Sequence, residues 1–468
     1  MGSQAFLYVI ILPAAWLLLW QLQSARSRQA LLLVTSYLLY ASWGLEFLGL
    51  LFCSSVLNYG LGLLLRRKPT AARLWLGVLL NAALLGTFKY LPEFASLLPH
   101  SSLNRTFANI ALPVGISFWT FQALSYLFDV YREEELNPSC LEYLLYMAFW
   151  PTVLSGPICR LSSLLPQFRE TLKPAAENIR RGMDRICLGV FMIGLGQLLA
   201  GGIHLGQGID GAFDRSARGL TGLDVWCMAI GYGFELFFNF AGYTHVVIGA
   251  ASLFGFRLDE NFDRPYLSTT PSQFWTRWHM SLSFWIRDYL FLPLAMLRRE
   301  AWWRTFMLVV SMVVFGLWHK GTLLFAIWGL YQGALLVLHR QWQQLQRRFG
   351  WEFPRVVMGP LSWALTFGFI CLGWVFFRAS GLSQALTMLR SAASLGAYAG
   401  YTLPASLFLL VAALTLGYFG TMGSQRLLRN YSVDLALPLE LRAALYSVAV
   451  YVGIFHAAQT QAFIYFQF

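Results

Sequence analysis

Charged side chains are scarce in this sequence: Asp, Glu, Lys and Arg make up 12% of its 468 residues, whereas 57% are hydrophobic. A chain of this length would ordinarily divide into two or three water-soluble domains. The shortage of charge argues against that division, because apolar runs close to the ~20 residues needed to cross a hydrocarbon core recur along nearly the whole length. The composition therefore predicts one membrane-embedded helical domain.

Cysteine pairs and the common motifs of soluble enzymes are also missing. The six cysteines are scattered without a CxxC spacing, so we expect small buried hydrophobes and neither a disulfide framework nor a metal site. Neither the GxSxG elbow of serine hydrolases nor the HExxH zinc motif occurs. The net charge of +12 does not indicate a nucleic-acid partner, because Lys and Arg accumulate in the cytoplasmic loops of membrane proteins.

The apolar runs predict an all-α polytopic membrane protein with about 11 crossing helices, since some runs are too short or too polar to cross alone. The basic loops that follow the first and third runs place the N-terminus outside the cell. The candidate spans are 5–22, 29–43, 45–65, 73–92, 111–131, 139–158, 184–203, 222–254, 305–318, 321–339, 356–378, 404–423 and 441–460.

Three stretches do not fit simple crossings. FWPTVLSGP (149–157) has two prolines and a glycine, which suits a re-entrant bend lined by protein. The stretch 167–185 is predicted to be a basic helix on the inner surface. Arg287 and Asp288 interrupt 271–297, so we expect helices there that start at the inner face, dip into the protein and return.

Two Trp-His pairs stand out between residues 271 and 321, in a chain with seven histidines. They are Trp278-His279 and Trp318-His319, the second of which ends an apolar run. An ionisable side chain at membrane depth by default marks a functional site. A neutral imidazole suits a general base that takes a proton from a hydroxyl as it attacks an acyl carbonyl. The stretch is therefore a candidate acyl-transfer centre.

Spacing extends this candidate site. Trp275, His279, Ser283 and Arg287 follow i, i+4 spacing, which predicts one gradually drifting helix face with hydroxyl and cationic neighbours for the histidine. Each histidine also has a structural interpretation. His279 would be hydrogen-bonded within a core, and His319 would lie at a helix end in the membrane interface. The tryptophans either pack or line a passage for substrate.

The chain resembles the bacterial branch of the membrane-bound O-acyltransferase family, typified by alginate O-acetyltransferase membrane subunits. The combination WHMS, WIRDYL and GLWH carries the resemblance most specifically. The matching stretches are 112–132, 149–160, 238–256, 260–294, 315–333, 373–379 and the terminal FIYFQF at 463–468.

The resemblance implies a ring of tilted helices around a tunnel open to both sides, with His319 as catalytic base and His279 as the second active-site position. Trp278, Trp318, Ser283, Arg287 and Asn239 are the expected substrate-binding residues. This implies a single domain over 1–468, with N-terminal helices in 1–110, a core with the active site in 111–345, and C-terminal helices in 346–468.

The resemblance also implies partners and a location. Acetyl-CoA would be the acyl donor, with no permanently bound cofactor. The acceptor would be an extracytoplasmic polysaccharide of alginate, cellulose or peptidoglycan type, reached through a periplasmic SGNH-type partner protein. The expected location is the bacterial inner membrane.

Two departures from the family pattern concern the site. Lys320 stands where that pattern has glycine, and Asn239 and His245 stand where it has acidic residues.

Two alternative functions stay open at this point: D-alanyl or lipid acyl transfer by the same fold, and a transporter that uses the histidines as a midplane proton relay.

Overall fold

The structure, a computed structural model, describes residues 2–96, 107, 109–154, 156–170, 175–204, 206–352, 354–430 and 439–457. Over these residues it consists of helices joined by turns and loops, with no β-strand. The α-helices are α1 (Gly2–Leu19), α2 (Ala25–Ala41), α3 (Leu45–Arg67), α4 (Ala71–Leu85), α5 (Leu91–Ser96), α6 (Ile116–Tyr131), α7 (Cys140–Ala148), α8 (Trp150–Val153), α9 (Leu161–Arg169), α10 (Ala176–Gly201), α11 (Ile209–Phe213), α12 (Gly222–Leu253), α13 (Pro271–Trp275), α14 (Met280–Trp285), α15 (Leu292–Ala295), α16 (Ala301–His319), α17 (Leu323–Phe349), α18 (Arg355–Arg378), α19 (Leu382–Ala393), α20 (Ala405–Asn430) and α21 (Leu439–Ala457). Two π-helical segments cover Gly86–Tyr90 and Ile286–Phe291, and two 3₁₀ turns cover Pro265–Leu267 and Leu395–Tyr398.

Within the described part of the chain, seven helices have the length and apolar composition to cross a membrane, and two more apolar helices are shorter. The predicted all-α polytopic class is thus confirmed, although the described residues contain seven such helices where about 11 crossings were expected. Helix α6, for example, is only 16 residues long and is almost entirely buried. The seven are Leu45–Arg67, Ala71–Ala95, Ala176–Gly201, Gly222–Leu253, Ala301–His319, Leu323–Phe349 and Val356–Arg378.

Two of the unusual stretches can be compared directly with their predictions. The chain does break in 139–158, where α7 and α8 are separated at Phe149 and α8 ends at Val153. The predicted separate surface helix over 167–185 is wrong. Helix α9 ends at Arg169, and the second half of the stretch forms the first turns of α10, where Arg180 and Arg181 both pair with Glu177 along the helix. The terminal stretch 463–468 lies outside the described residues.

Helix α12 is the central element of the fold. It has 32 residues and begins with a capping box, in which Thr221 Oγ1 accepts from the Asp224 N–H at 3.2 Å and the Asp224 carboxylate accepts from the Thr221 N–H at 2.9 Å. Its first two-thirds, including Phe234, belong to a hydrophobic core shared with the C-terminal helices, and its last turns, including Ile248, pack against the N-terminal helices. The helix therefore joins the two hydrophobic cores of the protein.

Glycines on α10 and α12 let these two helices touch backbone to backbone. A Cβ atom placed on Gly242 would lie 2.7 Å from the carbonyl oxygen of Gly189 and 2.9 Å from the nitrogen of Ile193. Gly182 and Gly249, one heptad away on each helix, face each other in the same manner. Helix association inside a bilayer depends on such close van der Waals packing, because no hydrophobic effect drives helices together there.

We expect Gly242→Ala to destabilise the protein, because the added methyl group meets backbone atoms that cannot yield without separating α10 from α12. Overpacking of this kind costs about 1–3 kcal/mol in free energy of unfolding. Thermal unfolding of the detergent-solubilised protein measures the effect. Gly201→Ala is the matched control, since no atom lies within 4 Å of a Cβ on Gly201. Equal melting temperatures for the two variants would contradict the packing described here.

Candidate active site

The polar stretch that was predicted to form one helix face is broken into short pieces. Helix α13 begins at Pro271, with Thr270 Oγ1 accepting from the Gln273 N–H at 3.1 Å. It ends at Trp275, and the chain turns before His279, which has a left-handed backbone (φ 42°) and starts α14. The π-helical segment Ile286–Phe291 then follows. The i, i+4 prediction is therefore wrong, because the backbone changes direction at His279.

A left-handed backbone is uncommon for a residue with a side chain, and it persists only where the surroundings enforce it. Asn261 does so here. Its backbone carbonyl accepts from the Met280 N–H at 2.9 Å, and its side-chain oxygen accepts from the Ser281 N–H at 3.2 Å and the Ser281 hydroxyl at 2.8 Å. These bonds hold the start of α14 against the loop that follows α12.

The same Asn261 oxygen lies 3.2 Å from Nδ1 of His279. Since this oxygen accepts from Ser281, the histidine must donate from Nδ1–H, which leaves the lone pair on Nε2. Burial lowers the pKa of His279 to about 3, so the imidazole is neutral at physiological pH. The side chain is 1% exposed and packs edge-on against Phe240. The asparagine thus determines both the tautomer and the orientation of the ring.

His319 is the last residue of α16 and is 4% exposed. Its ring packs against aromatic side chains from its own helix and two others, including Phe315 (ring centroids 4.9 Å apart), Trp328 of α17 (5.5 Å) and Phe377 of α18 (5.1 Å). The Lys320 that follows has an extended backbone (φ −152°) and is exposed, so glycine is not required at this position. The imidazole is therefore held inside the protein while Lys320 points away from it.

The structure brings the two predicted histidines into one site. They lie close enough to interact electrostatically. A row of tryptophan rings also connects them. The ring centroids of Trp278 and Trp374 are 5.0 Å apart, and those of Trp374 and Trp328 are 6.2 Å apart. The ring of Trp328 in turn packs against His319. Trp278 and Trp318 are 3% and 5% exposed, so both form part of the buried wall of this site.

Three other predicted site residues are placed differently. Ser283 uses its hydroxyl to donate to the Trp278 carbonyl at 2.9 Å, which stabilises the turn. Arg287 is exposed and pairs with Asp288 at 2.6 Å, so its charge is neutralised at the surface. Asn239 of α12 is buried and accepts from Gln197 of α10 at 3.2 Å, within the interface of these two helices.

Two residues of the site were not predicted from the sequence. Asn261 precedes the motif and gave no signal, because an asparagine beside a loop is common. Lys89 lies within the apolar run 73–92, and the expectation that an ionisable residue at membrane depth is functional applies to it as well. Its ammonium group lies over the ring of Trp318, 4.6 Å from the ring centroid.

Comparison with known proteins supplies the family. The profile of the membrane-bound O-acyltransferase family matches residues 47–382. The chain belongs to this family. The site of an O-acyltransferase must accommodate an acyl donor and a hydroxyl acceptor, and a buried pair of aromatic-walled histidines suits that chemistry.

Several relatives of this O-acyltransferase are known. It is 34% identical to the probable alginate O-acetylase AlgI of Pseudomonas aeruginosa over 416 residues, which cover 85% of this chain and 75% of the relative. It is 33% identical to the peptidoglycan O-acetyltransferase of Helicobacter pylori over 393 residues, covering 77% and 72% of the two chains. The teichoic acid D-alanyltransferase of Bacillus subtilis is 28% identical over 327 residues, covering 67% and 79%.

We expect Asn261→Ala to lower the stability of this O-acyltransferase, because it leaves the Ser281 N–H and the His279 ring nitrogen buried without their acceptor. Removing one partner from buried hydrogen bonds costs about 1–3 kcal/mol. Ser281→Ala, which removes a single hydroxyl donor, is the control and should cost less. Thermal unfolding in detergent compares the two, and a larger loss for Ser281→Ala would show that Asn261 does not organise this turn.

Proposed function

We propose that this protein is a bacterial inner-membrane O-acetyltransferase that moves an acetyl group from cytoplasmic acetyl-CoA to a hydroxyl of an extracytoplasmic polysaccharide. The observation that carries the proposal is the buried position of His319, beside His279 and inside an aromatic wall. The names of its relatives support acetyl transfer to an alginate or peptidoglycan type of acceptor.

In this proposal His319 is the general base. The acceptor hydroxyl gives its proton to the imidazole while its oxygen attacks the acetyl carbonyl carbon of the thioester. The carbon–sulfur bond then breaks, and the departing thiolate takes the proton back from the imidazolium. The products are the acetyl ester and free CoA, and the enzyme returns to its starting state. His279, held neutral by burial, positions the donor or stabilises charge.

The partners follow from this reaction. Acetyl-CoA is a substrate that binds and leaves, so the protein needs no resident cofactor. A passage through the helical ring would admit the donor from the cytoplasm, and a periplasmic SGNH-type protein would assist acetylation of the polysaccharide on the other side. Acceptors of alginate, cellulose and peptidoglycan type all present the secondary or primary hydroxyl that the reaction requires.

Transfer of D-alanine is the second candidate, favoured by the relative that acts on teichoic acid. That relative is less similar to this chain than the two acetylating relatives, which favours acetyl transfer. Membership of an acyltransferase family also favours an enzyme over the transporter considered from the sequence. Mass spectrometry of surface glycans with and without the protein distinguishes an added acetyl group from an added alanyl group.

His319→Ala should reduce acetyl transfer by about 10²–10⁴-fold, which is the usual contribution of a well-placed general base. The readout is release of free CoA by the purified protein in the presence of acceptor. His339→Ala is the matched control, because this half-buried histidine lies on α17 but far along it from the site. Near-wild-type turnover by His319→Ala would rule out the proposed base.

His279→Ala should also reduce turnover, but less than His319→Ala, because we assign it no proton transfer. The same assay ranks the two variants, and thermal unfolding confirms that each is folded. A loss for His279→Ala that equals or exceeds the loss for His319→Ala would reverse the assignment of the base.

A further inference from the structure

Lys89 lies on the π-helical segment Gly86–Tyr90, between α4 and α5. Such wider turns are rare and occur frequently at functional sites. The segment is attached to the tip of the α16–α17 hairpin: Glu93 accepts from the Gly321 N–H at 3.2 Å, and a Cβ on Gly321 would lie 3.0 Å from the Tyr90 ring. The N-terminal helices therefore hold the segment that carries Lys89 against Gly321, which is two residues from His319 in the sequence.

The ammonium group of Lys89 does not extend to water. A lysine near the end of a membrane-spanning helix normally extends its charge to the interface. Lys89 lies near the end of the span Ala71–Ala95, yet its Nζ is buried and packs over Trp318. The indole of Trp318 also contacts the ring of His319, with centroids 4.7 Å apart. One indole thus separates the lysine from the proposed base.

The Nζ of Lys89 has no hydrogen-bond partner among the residues that the structure describes, and neither does Nε1 of Trp318. Glu93 lies near enough to attract the ammonium electrostatically, but it does not accept a hydrogen bond from it. Buried donors are nearly always satisfied, so each exception calls for an explanation. The two residues that carry these unsatisfied donors contact each other, and Trp318 contacts His319, so we infer that a substrate supplies an acceptor atom to Lys89 here.

We propose that Lys89 is a catalytic residue whose ammonium group donates a hydrogen bond to the carbonyl oxygen of the thioester donor. This inference rests on the proposed function. When the acceptor oxygen attacks the carbonyl carbon, the carbonyl π electrons move onto that oxygen, and Lys89 stabilises the resulting negative charge. When the carbon–sulfur bond breaks, the carbonyl re-forms and the thiolate leaves with the proton held by His319. Lys89 keeps its own protons throughout.

The arrangement fits this role better than a structural one. A buried ammonium group is costly unless an anion or several acceptors compensate it. Here the compensation within the described residues consists of two aromatic faces, Trp318 at 4.6 Å and Tyr90 at 5.9 Å from Nζ to the ring centroid, and a carboxylate that is not in hydrogen-bond contact. The thioester oxygen, which becomes an anion only during reaction, supplies the missing acceptor when it is needed. A contact that stabilises the negative charge in the transition state raises turnover more than it raises the affinity for the unreacted thioester.

The test compares Lys89→Met with Lys320→Met in the full-length purified enzyme. Methionine keeps an unbranched apolar stem against Trp318 but removes the charge. Lys320, the exposed lysine beside His319 in sequence, is the matched control. Lys89→Met should lower turnover, measured as CoA release, by about 10²–10³-fold, the usual effect of removing one oxyanion donor. Binding of the uncleavable dethia analogue of acetyl-CoA should change far less than turnover.

Lys89→Arg keeps the charge and a hydrogen-bond donor, so it should retain more turnover than Lys89→Met. Thermal unfolding and a monodisperse size-exclusion profile show which variants are folded, and only folded variants are compared. If Lys89→Met does not fold, turnover of Lys89→Arg is compared with that of the wild-type enzyme instead. If wild-type enzyme releases no CoA, the proposed donor is wrong. If wild-type enzyme is active and Lys89→Met matches Lys320→Met, the role of Lys89 is overturned while the proposed function stands.

Discussion

A peptide group that loses its helical partner inside a bilayer cannot turn to water, so the protein itself must supply the replacement. This constraint governs the stretch between α12 and α16, where three short helices and a π-helical segment take the place of one continuous span. The Asn261 side chain and backbone together accept from Met280 and Ser281, which satisfies the turn that carries His279. The irregular backbone is what allows a histidine to be presented inward with a fixed tautomer.

The site depends on elements that are far apart in the sequence. His279 is held by the loop after α12, and His319 by the aromatic side chains of α16, α17 and α18. The N-terminal helices contribute through Glu93, which binds the Gly321 N–H, and through Lys89 over Trp318. Helix α12 has residues in both hydrophobic cores and also packs its Phe240 against the ring of His279.

Much of this arrangement could be predicted from the sequence. Long apolar runs predicted helices such as α12 and α18 within a few residues, because length and hydropathy determine them almost alone. The two Trp-His pairs predicted the histidines of the site. Periodicity failed around His279, since i, i+4 spacing assumes a regular helix and cannot reveal a left-handed residue. Asn261 acts through contacts across the fold, which no local pattern records.

The π-helical segment Gly86–Tyr90 has a consequence for how this protein can vary in length. Each residue of an α-helix advances the chain by about 100° around the axis. A residue after a π segment therefore faces a different direction than it would in a regular α-helix with the same number of residues. A π turn holds one residue more than an α turn, so a deletion of one residue here would restore regular geometry while Glu93 keeps its orientation toward the Gly321 N–H. The extra residue in this segment therefore determines where Lys89 is placed over Trp318, and it does not determine the direction of the helix that follows.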